Sequence, residues 1–175
     1  MTDAPDRMAG LARPMQHALN NLFMVLNANL DSVAASLPPE DRSTLRVKRA
    51  LQGAKELEAL LRAYFRLGRP AEQTPVDSGR FLEAVRPVLA LALGKPLKVE
   101  VLATATIQPP RPVVDLALLD LITGGREMAP GTARLVLDGK VITVNWPPPE
   151  GAEASLTAAG LGVSVEAQTT RVTLS

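Results

Sequence analysis

The chain has 175 residues, 46% hydrophobic but only 3% aromatic, with 19 basic against 18 acidic side chains and a net charge of +1. That composition suits one aliphatic-cored domain or two small ones. It argues against stacking platforms for single-stranded nucleic acid and against broad electrostatic binding to nucleic acid or anionic membrane. With no cysteine and one histidine, disulfides, thiolate chemistry and Cys- or His-rich metal sites are excluded, so no metal site is expected.

The first residues, Met1-Thr2-Asp3-Ala4-Pro5-Asp6-Arg7, are polar and lack a secretory core. No apolar run approaches the roughly 20 residues that span a bilayer. A soluble, cytoplasmic protein without membrane contact is the expectation.

Residues 8–36 read as a long helix. With Leu22 as reference and about 100° per residue, Leu11, Met15, Ala18, Leu26, Asn29 and Val33 fall within roughly 40° of it. His17, the only histidine, lies about 140° away on the opposite side, which Arg13, Asn20, Asn21 and Met24 share. No charged residue occurs from Met15 to Leu30. Pro14 should either start the regular helix or kink it. A turn at Leu37-Pro-Pro-Glu-Asp-Arg leads to a second helix over 40–67. Its stripe is Val47, Ala50, Ala54, Leu57, Leu61 and Phe65, and Gly68 suits its C-terminal end. Two long helices joined by a short turn make an antiparallel hairpin, and pairing two copies into a four-helix bundle would bury the rest of the stripe. Counting from the turn places Glu58, Ala59 and Arg62 opposite His17.

Residues 69–79 read as a linker, after which the pattern becomes α/β. Ser78 is a candidate cap for a helix over Arg80–Leu93. Leu97–Leu102 alternates as a strand, and Val113–Met128 reads as a helix. Ala133–Leu137 and Val141–Trp146 flank Asp138-Gly139, a hairpin signal. Pro147-Pro-Pro-Glu-Gly is a stiff turn, and Leu161–Ala167 and Thr170–Leu174 are two final strands. The fold class is α+β: an N-terminal hairpin over residues 1–70 and a small α/β sandwich over 71–175.

Leu11-Ala-Arg-Pro-Met-Gln-His17-Ala-Leu-Asn20-Asn21-Leu22 resembles, without a gap, the phosphoacceptor box of sensor histidine kinases. Gly53–Arg66 resembles the family's second dimerisation helix. Val114–Gly131 resembles the asparagine box of the kinase ATP-binding domain. Where that box carries two asparagines four apart, facing nucleotide and magnesium, this chain has Asp120 and Gly124. The family's glycine-rich adenine loop and lid have no counterpart between Val144 and the last strands. The resemblance therefore implies a degenerate, ATPase-like domain without ATP binding, as in the dimeric, kinase-derived histidine phosphotransferases.

In that group a histidine accepts a phosphoryl group from an aspartate of one receiver domain and passes it to another. Carried over, His17 is the phosphoacceptor, which suits a neutral imidazole near neutral pH. Asn21, one turn on, either orients water for dephosphorylation or only solvates the helix. Arg13, Asn20, Met24 and Arg62 are candidates for receiver contact, Met24 through a dry patch and Arg62 through its charge. No cofactor is expected, the magnesium coming from the receiver. The expected partners are a second copy and the receiver domains of response regulators or hybrid kinases. Ala18 replaces the acid that usually follows the histidine. A non-catalytic scaffold or inhibitor that holds a receiver, and a true kinase with an unusual pocket, are the rival readings.

Overall fold

The computed structural model describes residues 4–175, with side chains from Pro14 onward. The chain divides into two compact units, Met1–Arg69 and Pro70–Ser175. The architecture is α+β, a helical hairpin followed by a small mixed sheet with helices.

The first unit is helix α1 (Ala4–Ser36) and helix α2 (Arg42–Leu67). Pro14 neither begins nor ends α1, which runs through it. Helix α2 starts where its chemistry predicts: the Asp41 carboxylate accepts from the Ser43 N–H at 2.6 Å. The buried Thr44 hydroxyl then donates to the Pro38 carbonyl at 2.6 Å, tying the turn to the helix. At the other end the Gly68 N–H donates to the Arg66 carbonyl, with φ of −94°, so the cap does not use the left-handed conformation that favours glycine.

Within the hairpin α1 turns a different face inward from the one its periodicity suggested. Phe23, its only aromatic side chain, is buried, and Gln16, Leu19, Asn20, Asn27, Leu30 and Ala34 are half-buried. This row lies about 100° round from Leu22. The expected stripe is outward in the single chain: Leu22 is 65% exposed and Leu26 43%. The bulkiest side chain takes the inner seam, because it has most surface to remove from water. On α2, Ala54 is buried and Val47, Leu61 and Phe65 are half-buried, whereas Ala50 and Leu57 are exposed.

The second unit carries β1 (Val76–Asp77), α3 (Ser78–Leu93), β2 (Leu97–Thr104), β3 (Thr106–Ile107), α4 (Val113–Met128), β4 (Ala133–Gly139), β5 (Val141–Val144), α5 (Ala152–Ala158), β6 (Gly162–Glu166) and β7 (Thr169–Thr173). Five strands form one sheet in the order β2-β4-β5-β7-β6, parallel only between β2 and β4. Alternation along β4 buries Ala133, Leu135 and Leu137 and exposes Arg134 and Asp138. Phe81, Leu89, Leu118, Leu121 and Trp146 are buried as well and belong to the same unit's core. The opposite sheet face carries Lys98, Glu100, Arg134, Asp138 and Arg171, all exposed.

Strands β4 and β5 turn on Gly139 and Lys140, one residue later than expected, with Asp138 paired to Val141 and Gly139 at φ +60°. Asp77 rather than Ser78 caps α3, accepting from the Arg80 N–H at 3.0 Å. The Ser78 hydroxyl is buried, donating to the Gly139 carbonyl and accepting from the Ala105 N–H.

The expected linker is largely structured. Strand β1 pairs with β3 antiparallel, Val76 to Ile107 and Asp77 to Thr106, and the bridge between Glu72 and Arg111 continues the same register outward. Pro75, Pro109 and Pro110 interrupt the ladder because they have no N–H. The amides of Gln73 and Gln108 fill the gap, each donating to the other's carbonyl, at 3.0 and 3.3 Å.

Candidate functional site

His17 lies on α1 with its side chain exposed, and Asn21 and Met24, on the following turns, are exposed as well. Asn20 departs from the expectation of an outward position. It is half-buried and lines a groove between the helices with Gln16, Leu19, Phe23, Glu58, Leu61, Arg62 and Phe65. Its phase, close to that of Gln16 and Phe23, draws it to the seam. Arg13 falls outside the described side chains.

Two polar contacts fix the hairpin register. The Asn27 amide donates to Glu58 at 3.2 Å, and Arg69 donates to Gln16. From Gln16 to Asn27 and from Glu58 to Arg69 the chain advances by the same eleven residues, so the helices run in step. This pairing pivots at the start of α2, not in the middle of the turn. Gly68 consequently stands level with His17, and Glu58, Ala59 and Arg62 lie further toward the turn. Glu58 joins two side chains, accepting from Asn27 and, at 2.6 Å, from Arg62. The Arg62 charge is thus shared with a carboxylate on its own helix.

In the second unit the surroundings of Asp120 and Gly124 are taken up by the chain itself. The Asp120 carboxylate accepts from the Ser155 hydroxyl of α5 at 2.6 Å. Gly124 leaves no room for any side chain: a Cβ there would stand 2.6 Å from Met128 Cε and 2.7 Å from Pro149 Cδ. A shallow open groove with Thr123, Gly124, Glu127, Met128, Pro149 and Glu150 remains beside them, its charges both acidic. Helix α5 escaped the sequence reading, although Ala152, Leu156 and Ala159, all buried, carry helical spacing.

Among the described residues no cluster of three or more His, Cys, Asp or Glu side chains is placed to hold a metal ion. No described helix is long and apolar enough to cross a membrane.

No protein-family model matches the chain, and no curated protein matches it. Solved structures do. The chain is similar to the cytoplasmic segment of the histidine kinase QseC, at 13% identity and a TM-score of 0.48 over 79% of this chain and 98% of that one. It is similar to the Acinetobacter baumannii histidine kinase AdeS, at 12% identity and a TM-score of 0.44 over 91% and 97%. It is also similar to a bacterial phosphotransferase, at 12% identity and a TM-score of 0.37 over 100% and 98%.

Proposed function

We propose that the protein is a homodimeric histidine phosphotransferase in a two-component phosphorelay, passing phosphoryl groups between receiver aspartates through His17 without using ATP. The observation that carries the reading is the exposure of His17, within a box resembling a phosphoacceptor site, on a helix whose uncharged surface is divided between an inner seam and an open apolar row. An imidazole nitrogen attacks the phosphorus of a receiver aspartyl phosphate, forming the N–P bond as the bond to the carboxylate oxygen breaks. A second receiver's carboxylate reverses the step. The receiver supplies magnesium, and the helix supplies position.

The second unit supports the part of the reading that concerns ATP. Phosphoryl transfer from ATP needs donors and a cation around the phosphates. At Asp120 the carboxylate is engaged by Ser155, and at Gly124 the ring of Pro149 fills the space that a ligating side chain needs. The exposed row of Met15, Leu22, Leu26 and Val33 supports the dimer, because a second hairpin would cover it in a four-helix bundle.

The test is incubation with a phosphorylated receiver and magnesium. Label should move to the wild type and not to His17→Ala. Ala18 favours one rival, a scaffold that holds a receiver without taking its phosphate. That rival gains if His17→Ala binds the receiver as well as the wild type and neither protein is labelled. Saturable ATP binding at micromolar levels would overturn the nucleotide-free reading. Sedimentation of residues 1–74 should give a dimer.

A further inference from the structure

Building on the proposed relay role of His17, we infer that Arg69 is a second phosphoryl-binding residue of the hairpin. Its guanidinium rests on the neutral Gln16 amide beside His17 and swings to the phosphoryl group once the imidazole carries one. The guanidinium donates through Nη2 to the Gln16 side chain, and Gln16 immediately precedes His17 on α1. One residue along a helix is about 1.5 Å of rise. An amide oxygen accepts a hydrogen bond but brings no charge, so this link leaves the positive charge of Arg69 uncompensated. Among the described residues no carboxylate forms an ion pair with it.

The other cations of α2 fit less well. Arg62 shares its charge with Glu58. The equal spacing of the two cross-helix contacts sets Arg62 level with Phe23, about 9 Å along the bundle from His17. Lys55 stands about 20 Å away by the same count. Arg66 has a partner of its own. The backbone of Arg69 is steady, because its N–H donates to the Arg66 carbonyl at 3.1 Å and continues the end of α2. Only the flexible stem of the side chain has to move.

A phosphoryl group brings nearly two negative charges. On His17 it stands level with the C-terminal end of α2, Leu67 and Gly68, where the last carbonyls carry about half a negative charge. A guanidinium at that level offsets both, and its planar fork fits phosphate oxygens in pairs. Gln16 is then a resting place for the cation while the histidine is empty. Arg69 is exposed, so leaving the amide strands no buried charge.

Phosphoramidate, which phosphorylates an exposed imidazole without any receiver, tests the contact directly. In the proton–nitrogen spectrum of the treated full chain, the guanidinium Nε–H peak that Arg69→Gln removes should move downfield. It should stay in place in treated His17→Ala. A peak that does not move when His17 is phosphorylated overturns the role of Arg69. The second measurement is the equilibrium with a phosphorylated receiver. Arg69→Gln should lower the ratio of phosphorylated to free His17 about threefold, the worth of an exposed ion pair, and Arg69→Lys should recover part of it. Gln16→Ala breaks the same hydrogen bond but keeps the charge, and should not lower the ratio. Equal losses in Arg69→Gln and Gln16→Ala would make the contact purely structural and overturn the role, as would no loss in Arg69→Gln. If the receiver leaves the wild type unlabelled, the relay reading fails, while the phosphoramidate spectrum still decides the role of Arg69.

Discussion

Gly125 and Trp146 pack with no space for a side chain between them: a Cβ on Gly125 would stand 2.7 Å from Cε2 and 2.8 Å from Cζ2 of the indole. The ring is held there, because its Nε1–H donates to the Leu121 carbonyl at 3.1 Å, one turn earlier on α4. Gly125→Ala gains about 1 kcal/mol of helix propensity. It also forces a fully buried, hydrogen-bonded ring to move, and overpacking costs about 1–3 kcal/mol. The clash should win, with a lower Tm in a circular dichroism melt and no change in sedimentation.

Asp115 is completely buried and forms an ion pair with Arg111, itself 7% exposed. Asp115→Ala leaves a guanidinium buried without its counter-charge, a loss of about 3–5 kcal/mol. Arg111→Met with Asp115→Leu removes both charges and should recover much of that. Urea unfolding of the single and double variants checks both statements.

The Arg80 N–H, with the Thr104 hydroxyl, holds the Asp77 carboxyl below its ordinary value. A group depressed in the folded state stabilises it above the unfolded value and stops doing so as the pH falls through the folded one. The Tm deficit of Asp77→Ala should therefore be full above about pH 5 and shrink below about pH 4. Melts from pH 2.5 to 7 measure it. Asp41, lowered by the Ser43 N–H at the start of α2, should behave alike.

Ala167 turns the chain between β6 and β7 with φ of +53°. A side chain in that region costs about 1–2 kcal/mol, while glycine loses about 0.5–1 kcal/mol in chain entropy. Ala167→Gly should raise stability by about 0.5–1 kcal/mol in urea unfolding.

The sequence announces the long elements. Helix α4 runs over Val113–Met128 as expected, because sixteen residues of apolar spacing outweigh local ambiguity. The hidden parts have physical reasons. The ribbon of β1 and β3 is too short to alternate, and its extension is carried by glutamine amides where prolines remove the ladder bonds. The inner face of α1 follows Phe23, and apolar residues on two sides of a helix let periodicity alone choose the wrong one. The position of His17 on the helix surface could be read. Its level on α2 could not, since register depends on where Asp41 caps the second helix and on the pairing of Asn27 with Glu58. The filling of the Gly124 position depends on Pro149 and α5, which no local pattern connects to α4.

Trp146 is the single tryptophan, lies wholly inside the second unit and is sealed beneath α4, while the hairpin holds the only tyrosine, Tyr64, largely exposed. The molecule thus carries a built-in optical label for one half. Indole emission will shift to the red when the sheet unit loosens and stay silent while the helices come apart. Tracked together with helical ellipticity, it divides any melting curve into its two halves without a dye.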